Sequence, residues 1–285
     1  MMNKKDYGLW FLLGASILMS LPYAPPFTFI IDDIEFFRYT GMAILKGQVP
    51  YRDFFDHKPP MIYFINAAGQ ALGGWWGLWL ISTLFALVIT WLFYRLCRQY
   101  RLTFPWVLPL LFNLMIRDNL VSEGMHYTRE YSTFFVMLFF IALMGKSKYR
   151  YFLIGLFAAL TFFTQQDQIL LLIPFLLYAV ISNDELTFFT RCLQTAAGFL
   201  SVTALLILYF AINHSLSWFW NDSFAFNFTV YIHEKKSIGD HFRTIKRVLD
   251  KGNYELPVMV AISLGITSLF VQNKKRPSSP SPCFP

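Results

Sequence analysis

From Ile31 to Tyr63 the chain reads IDDIEFFRYTGMAILKGQVPYRDFFDHKPPMIY. The stretch holds the carboxylates Asp32, Asp33, Glu35, Asp53 and Asp56 beside Arg38, Lys46, Arg52, His57 and Lys58, in a chain that is otherwise mostly apolar. No residue from Leu9 to Ile31 is charged, and then Asp32 and Asp33 stand side by side. An apolar run that stops at a carboxylate pair sets those acids at a membrane surface, where ionisable groups are functional candidates by default. The plainer reading is that they mark where a helix leaves the bilayer, since acids are tolerated just outside the hydrocarbon. Two further features weigh on the side of chemistry. Lys46 to Asp53 reads as a Gly–Pro turn carrying polar groups. His57-Lys58 precedes Pro59-Pro60, and proline restrains both its own φ and the residue before it, so Lys58 is expected on a stiff, extended backbone. Acids and cations held at a membrane face suit group transfer from a lipid phosphate. A carboxylate can take the proton of an acceptor hydroxyl, and a fixed Lys or Arg can stabilise charge on the leaving phosphate.

The elements that must position these groups are membrane helices. Of 285 residues, 56% are hydrophobic, 19% aromatic and only 14% charged, against roughly a quarter charged in soluble domains. The mean hydropathy is +0.45. The class is therefore all-α integral membrane, with about eight spans near 9–29, 75–96, 102–116, 131–145, 151–164, 169–182, 193–212 and 255–271. Met61 to Gly74 is too short for the roughly 20 residues a span needs and reads as an interfacial helix on the outer face. The net charge of +7 follows topology and does not point to nucleic acid. Predicted inside segments carry Lys4, Lys5, Arg95, Arg98, Arg101, Lys146, Lys148, Arg150, Arg191, Lys274, Lys275 and Arg276, against Asp6, Asp184 and Glu185. That excess places both termini in the cytoplasm. Residues 1–272 form one membrane domain, with outer segments at 30–74 and 213–254, and 273–285 is a basic low-complexity tail. Cys97, Cys192 and Cys283 lie far apart, with no CxxC and no Cys/His cluster, so neither a disulfide framework nor a zinc site is expected.

The acidic pair after the first span, Gly47-x-x-Pro50-Tyr51-Arg52-Asp53, and Lys58-Pro59-Pro60 followed by an aromatic resemble the first outer loop of polytopic GT-C glycosyltransferases. Within that group the pattern is closest to protein-O-mannosyltransferase-like members, including lipid A aminoarabinose transferase and the rhizobial galacturonosyltransferases. The likeness is sharp over residues 30–65 and diffuse as far as 232. It implies transfer of a sugar from a polyprenyl-phosphate donor to a lipid, glycan or protein acceptor, outside a bacterial cytoplasmic membrane. Asp33 is then the general base, with Asp32 the second choice, and Glu35 orients the acceptor or a cation unless it lies on a solvated face. Lys58 and His57 are candidates for the donor phosphate, with Arg129 a further one. Tyr51, Arg52 and Glu123 would line the site, although Arg52 and Asp53 also read as a structural ion pair. No complete metal-ligand set is visible, and a divalent ion stays open because paired acids can bind one.

Two departures from the family stand out. Gly155-Leu156 and Thr164 fit a helix that in the family ends in Thr-Lys, but Gln165 replaces the lysine. Family members usually have further spans and an outer C-terminal domain, so the resemblance implies a shortened chain. The competing readings are a non-catalytic scaffold of envelope polysaccharide assembly and a transporter of lipid-linked sugar. The transporter reading is opposed by charges that cluster in outer loops and not in mid-span, and by the lack of an internal repeat.

Overall fold

The computed structural model describes residues 6–27, 33–117, 125–182 and 186–231. Among them the protein is all-helical, with only an isolated bridge between Pro50 and Phe54 outside the helices. The helices are α1 (Tyr7–Ser20), α2 (Asp33–Leu45), α3 (Met61–Gly73), α4 (Trp75–Gln99), α5 (Val107–Arg117), α6 (Thr128–Met144), α7 (Arg150–Thr164), α8 (Ile169–Ile181), α9 (Phe188–Ile212) and α10 (Leu216–Trp220). The predicted span 255–271, the tail 273–285 and the later part of the 213–254 segment lie outside the described residues.

Local chemistry explains most of the boundaries. Asp33 and Glu35 occupy the first turn of α2, where the exposed N–H groups favour negative charge. After α2, Gly47 adopts a left-handed φ of 87° that a glycine takes without strain. Pro60 stands before α3, and Gly73-Gly74 reverse the chain directly into α4. Thr187 caps α9 by accepting the Thr190 N–H, so this helix starts at Phe188 and not near 193 as expected.

Among the described residues, α4 and α9 are the two helices long and apolar enough to cross a membrane. Each has 25 residues, a rise of about 37 Å against a hydrocarbon core of about 30 Å. Most of α9 faces outward although it is apolar, with Phe189, Leu193, Leu200, Leu205, Leu208 and Ile212 all exposed. That pattern suits a lipid-facing helix and would be an aggregation hazard in water. The other predicted spans are shorter. The expected span at 102–116 becomes the 11-residue α5, starting only after Pro105. α6, α7 and α8 have 17, 15 and 13 residues, and Pro174 sits inside α8. The apolar runs were legible: α6 and α7 start slightly before the expected 131 and 151, whereas the segment holding Pro105 is cut to the short α5.

Asp6, just before α1, accepts hydrogen bonds from Tyr94 and Arg98 near the end of α4. The start of α1 and the end of α4 therefore lie at one end of the bundle. At the opposite end the Trp79 indole donates to the Ser20 carbonyl at 2.8 Å. α7 packs on both α6 and α9, and α2–α3–α4 form a second set of neighbours. One aromatic core joins Phe37, Tyr51, Tyr63, Tyr131, Phe210 and Phe219; another, between α6, α7 and α8, holds Phe139, Tyr151, Ile154 and Leu172.

The α7–α9 contact is backbone on backbone. A β-carbon on Gly155 would stand 1.9 Å from the Thr195 carbonyl oxygen, and one on Gly198 would stand 2.0 Å from that of Phe152. Small residues allow such close approach between membrane helices. Gly155→Ala is expected to separate the two helices and lower the melting temperature of the purified protein in detergent. Gly14→Ala, with nothing within 4 Å of the new methyl, should leave it unchanged. Equal melting of the two variants would refute this account of the interface.

Candidate functional site

The turn between α2 and α3 is built by side chains that bond the main chain. Asp53 accepts the Val49 N–H at 2.7 Å and is held by Arg52 through two bonds of 2.9 Å. The Arg52 hydrogen bonds and the Val49 N–H keep the Asp53 carboxyl below the usual carboxylate range. Arg52 also donates to the Asn213 carbonyl at 2.9 Å, pinning the chain after α9 to this turn. Arg52 thus forms the structural ion pair with Asp53 that its adjacency suggested, and its side chain remains 37% exposed at the edge of the turn.

Tyr51 likewise works from beneath. Its φ is 68°, a left-handed backbone that is uncommon outside glycine. Its side chain is buried among Tyr63, Phe210 and Phe219, with ring centroids 5.5–5.8 Å away. The Tyr51 hydroxyl donates to the Lys58 carbonyl at 2.7 Å, and the Tyr63 hydroxyl reaches the same oxygen at 3.3 Å. Burial pushes both phenols well above their usual range, so both remain donors. The sequence-level placing of Tyr51 at the site surface is corrected: a ring packed on all sides leaves none of it for a ligand.

Above these tyrosines the Lys58 ammonium donates to Asp33 Oδ2 at 3.0 Å. The residues are 25 apart in sequence; one is in the first turn of α2 and the other is in the turn that leads to Pro59-Pro60. The Asp33 side chain is 50% exposed and that of Lys58 26%, so the pair opens outward. The same ammonium lies 5.6 Å from the centroid of the Phe37 ring. Asp56, next in line, is 8% exposed. One of its oxygens accepts the N–H groups of His57 (2.7 Å) and Lys58 (3.3 Å) and lies 3.4 Å from His57 Nδ1. Asn227 donates to the His57 carbonyl at 2.8 Å. It also bonds Ser223 and Gln166, and Gln166 itself donates to the Ser223 carbonyl.

The remaining candidates divide. Glu35 pairs with Arg38 at 2.8 Å on the exposed face of α2, the solvated-face alternative. Arg129 lies exposed on the first turn of α6. That turn adjoins the pair through Tyr127, whose ring centroid is 6.4 Å from that of Phe37. Gln165, where the family pattern has lysine, accepts the Thr128 hydroxyl at 3.0 Å. Asp32 and Glu123 lie outside the described residues. Among the described residues no three His, Cys, Asp or Glu side chains gather as metal ligands. Beside the site, an apolar cavity of about 730 Å³ opens between α7, α9 and α10, walled by Phe162, Phe199, Ile207, Phe219, Trp220 and Phe224.

Sequence reasoning missed a second polar assembly. His126 (2% exposed, φ 74°) and Tyr131 both bond the Ser82 hydroxyl, at 3.1 and 2.8 Å. The His126 N–H donates to the buried Glu130 carboxyl at 2.8 Å. Nearby, the buried Arg117 guanidinium reaches Asn113, Ser16 and Ser20, tying α5 to α1. These groups come from α1, α4, α5, α6 and the turn before α6; four-residue steps such as Ser16–Ser20 and Asn113–Arg117 are visible in the sequence, but the contacts between elements are not.

Comparison with protein-family models, with curated proteins and with solved structures returns no match.

Burial holds His126 down to about 4 against an ordinary value of 6.5. The unfolded chain takes up this proton near pH 6.5, while the folded ring refuses it until about pH 4, so the folded state loses stability as pH falls through that window. Melting temperature in detergent is expected to drop more steeply between pH 7 and pH 4 for wild type than for His126→Asn, which tolerates the left-handed backbone. Identical pH profiles would remove His126 from this role.

Proposed function

We propose that the chain is a membrane glycosyltransferase of the GT-C type. In this reading it moves a sugar from a polyprenyl-phosphate donor to a lipid, glycan or protein acceptor at the outer face of a bacterial cytoplasmic membrane. The observation that carries the proposal is the outward-facing pair of Asp33 and Lys58, 3.0 Å apart, on the residues that bear the family resemblance. A carboxylate and a fixed ammonium are the two kinds of group a single displacement at a sugar phosphate needs; because the attacking and leaving oxygens lie on opposite faces of the sugar, the two side chains part from their 3.0 Å contact when donor and acceptor bind between them. The Asp33 carboxylate takes the proton as the acceptor O–H breaks. The acceptor oxygen bonds to the anomeric carbon while the bond from that carbon to the phosphate oxygen breaks. The electron pair leaves on the lipid phosphate, where Lys58 stabilises the added charge. The neighbouring apolar cavity of about 730 Å³ supports the reading, since its aromatic walls suit part of an isoprenoid chain and its size is that of ordinary ligand pockets.

The test is complementation. In a strain lacking the gene, wild type is expected to restore the surface glycan profile. Asp33→Asn and Lys58→Met should each lower transfer by about a hundredfold or more at matched protein levels. Restoration by both variants would favour the non-catalytic scaffold, in which Asp33 and Lys58 serve only as an ion pair.

A further inference from the structure

The dipeptide His57-Lys58 belongs to no helix or strand, yet all four of its backbone polar groups are bound by side chains. Asp56 takes both N–H groups, Asn227 binds the His57 carbonyl, and Tyr51 with Tyr63 bind the Lys58 carbonyl. Asp56, Tyr51 and Tyr63 are buried, and Asn227 comes from 170 residues beyond His57. Irregular backbone ordinarily meets water, so fixing two such residues from three parts of the chain exceeds what closing the turn requires. The turn is already closed by Asp53 and Arg52.

What this framework holds still is one imidazole and one ammonium on adjacent residues. Neither side chain is fully buried, and the imidazole lies near the Phe226 ring, 6.0 Å between centroids. An ammonium has three donors, and Asp33 accounts for one. We infer that Asp56 and Asn227 are positioning residues that preorganise His57 and Lys58 as a recognition turn for a phosphate group. The inference rests on the transferase reading and adds residues that the motif does not contain. Its physical basis is that a rigid site loses less freedom on binding than a mobile one, and gains affinity by that difference. Asp56 acts through acceptance of two N–H bonds, not through its charge. An asparagine oxygen can accept the same bonds, whereas alanine cannot.

The experiment measures equilibrium binding of undecaprenyl phosphate to the full chain in phosphatidylcholine nanodiscs, with inorganic phosphate as competitor and melting temperature as a control for folding. Lys58→Met is expected to abolish binding. Asp56→Ala and Asn227→Ala should weaken it by about tenfold, while Asp56→Asn stays within about twofold of wild type. A merely structural role would not separate Asp56→Asn from Asp56→Ala at equal melting temperature. If Asp56→Ala does not fold, the comparison of Asn227→Ala with wild type decides. Binding retained by Asn227→Ala and Asp56→Ala but lost by Lys58→Met would overturn the positioning role and leave the transferase reading intact. Binding retained by Lys58→Met would sink the phosphate assignment of the transferase reading, and this inference with it. Displacement of the lipid by inorganic phosphate supports recognition of the phosphate group. Failure to displace it at high concentration would assign the binding to the isoprenoid chain and overturn the inference.

Discussion

A charge at the edge of a bilayer keeps a useful direction only if the main chain beneath it cannot move. The arrangement around Lys58 meets that condition with hydrogen bonds to backbone and not with secondary structure. Two buried phenols on one carbonyl and a buried carboxylate on two N–H groups leave the turn little freedom to relax. The left-handed backbone at Tyr51 belongs to the same arrangement. A conformation that disfavours most side chains persists because the ring is enclosed by Tyr63, Phe210 and Phe219. The helices around the turn matter to function chiefly as the walls that enclose these rings.

The polar groups deeper in the bundle answer a different need. Ser16, Ser20, Thr90, Asn113 and Arg117 bond one another between α1, α4 and α5. In surroundings where apolar contact discriminates weakly between one helix neighbour and another, such bonds select partners. Each contributes modestly, on the order of 0.5–2 kcal/mol. Their worth lies in register: α5 is only 11 residues long, and an apolar helix of that length could slide without Arg117 and Asn113 to fix it.

Much of this was readable from the chain, for reasons that differ by residue. α3 and the start of α4 were legible almost to the residue because Pro60 and Gly73-Gly74 punctuate them. The Arg52–Asp53 pair could be foreseen from adjacency alone. α2 escaped because its charged face masks a buried stripe of Phe37, Thr40, Gly41 and Ala43 that packs on α3. Tyr51 was misplaced because an aromatic in a polar turn reads as a ligand contact when its ring is in fact core. Asp56 and Asn227 were out of reach for a more general reason. Both act on backbone atoms of other residues, and backbone atoms leave no trace in a sequence. The Ser82–His126–Tyr131 assembly was hidden in the same way, by distance along the chain.

The meeting of α7 and α9 limits how this sequence can drift. When two side chains collide across an interface, a smaller residue opposite can restore the fit, and the two positions can change together. Gly155 and Gly198 have no such freedom, because each faces carbonyl oxygens and amide nitrogens of the other helix. Those atoms are common to every amino acid, so no replacement on the facing helix makes room. Each glycine is therefore constrained alone, and neither should show a compensating partner in any set of sequences that shares this fold.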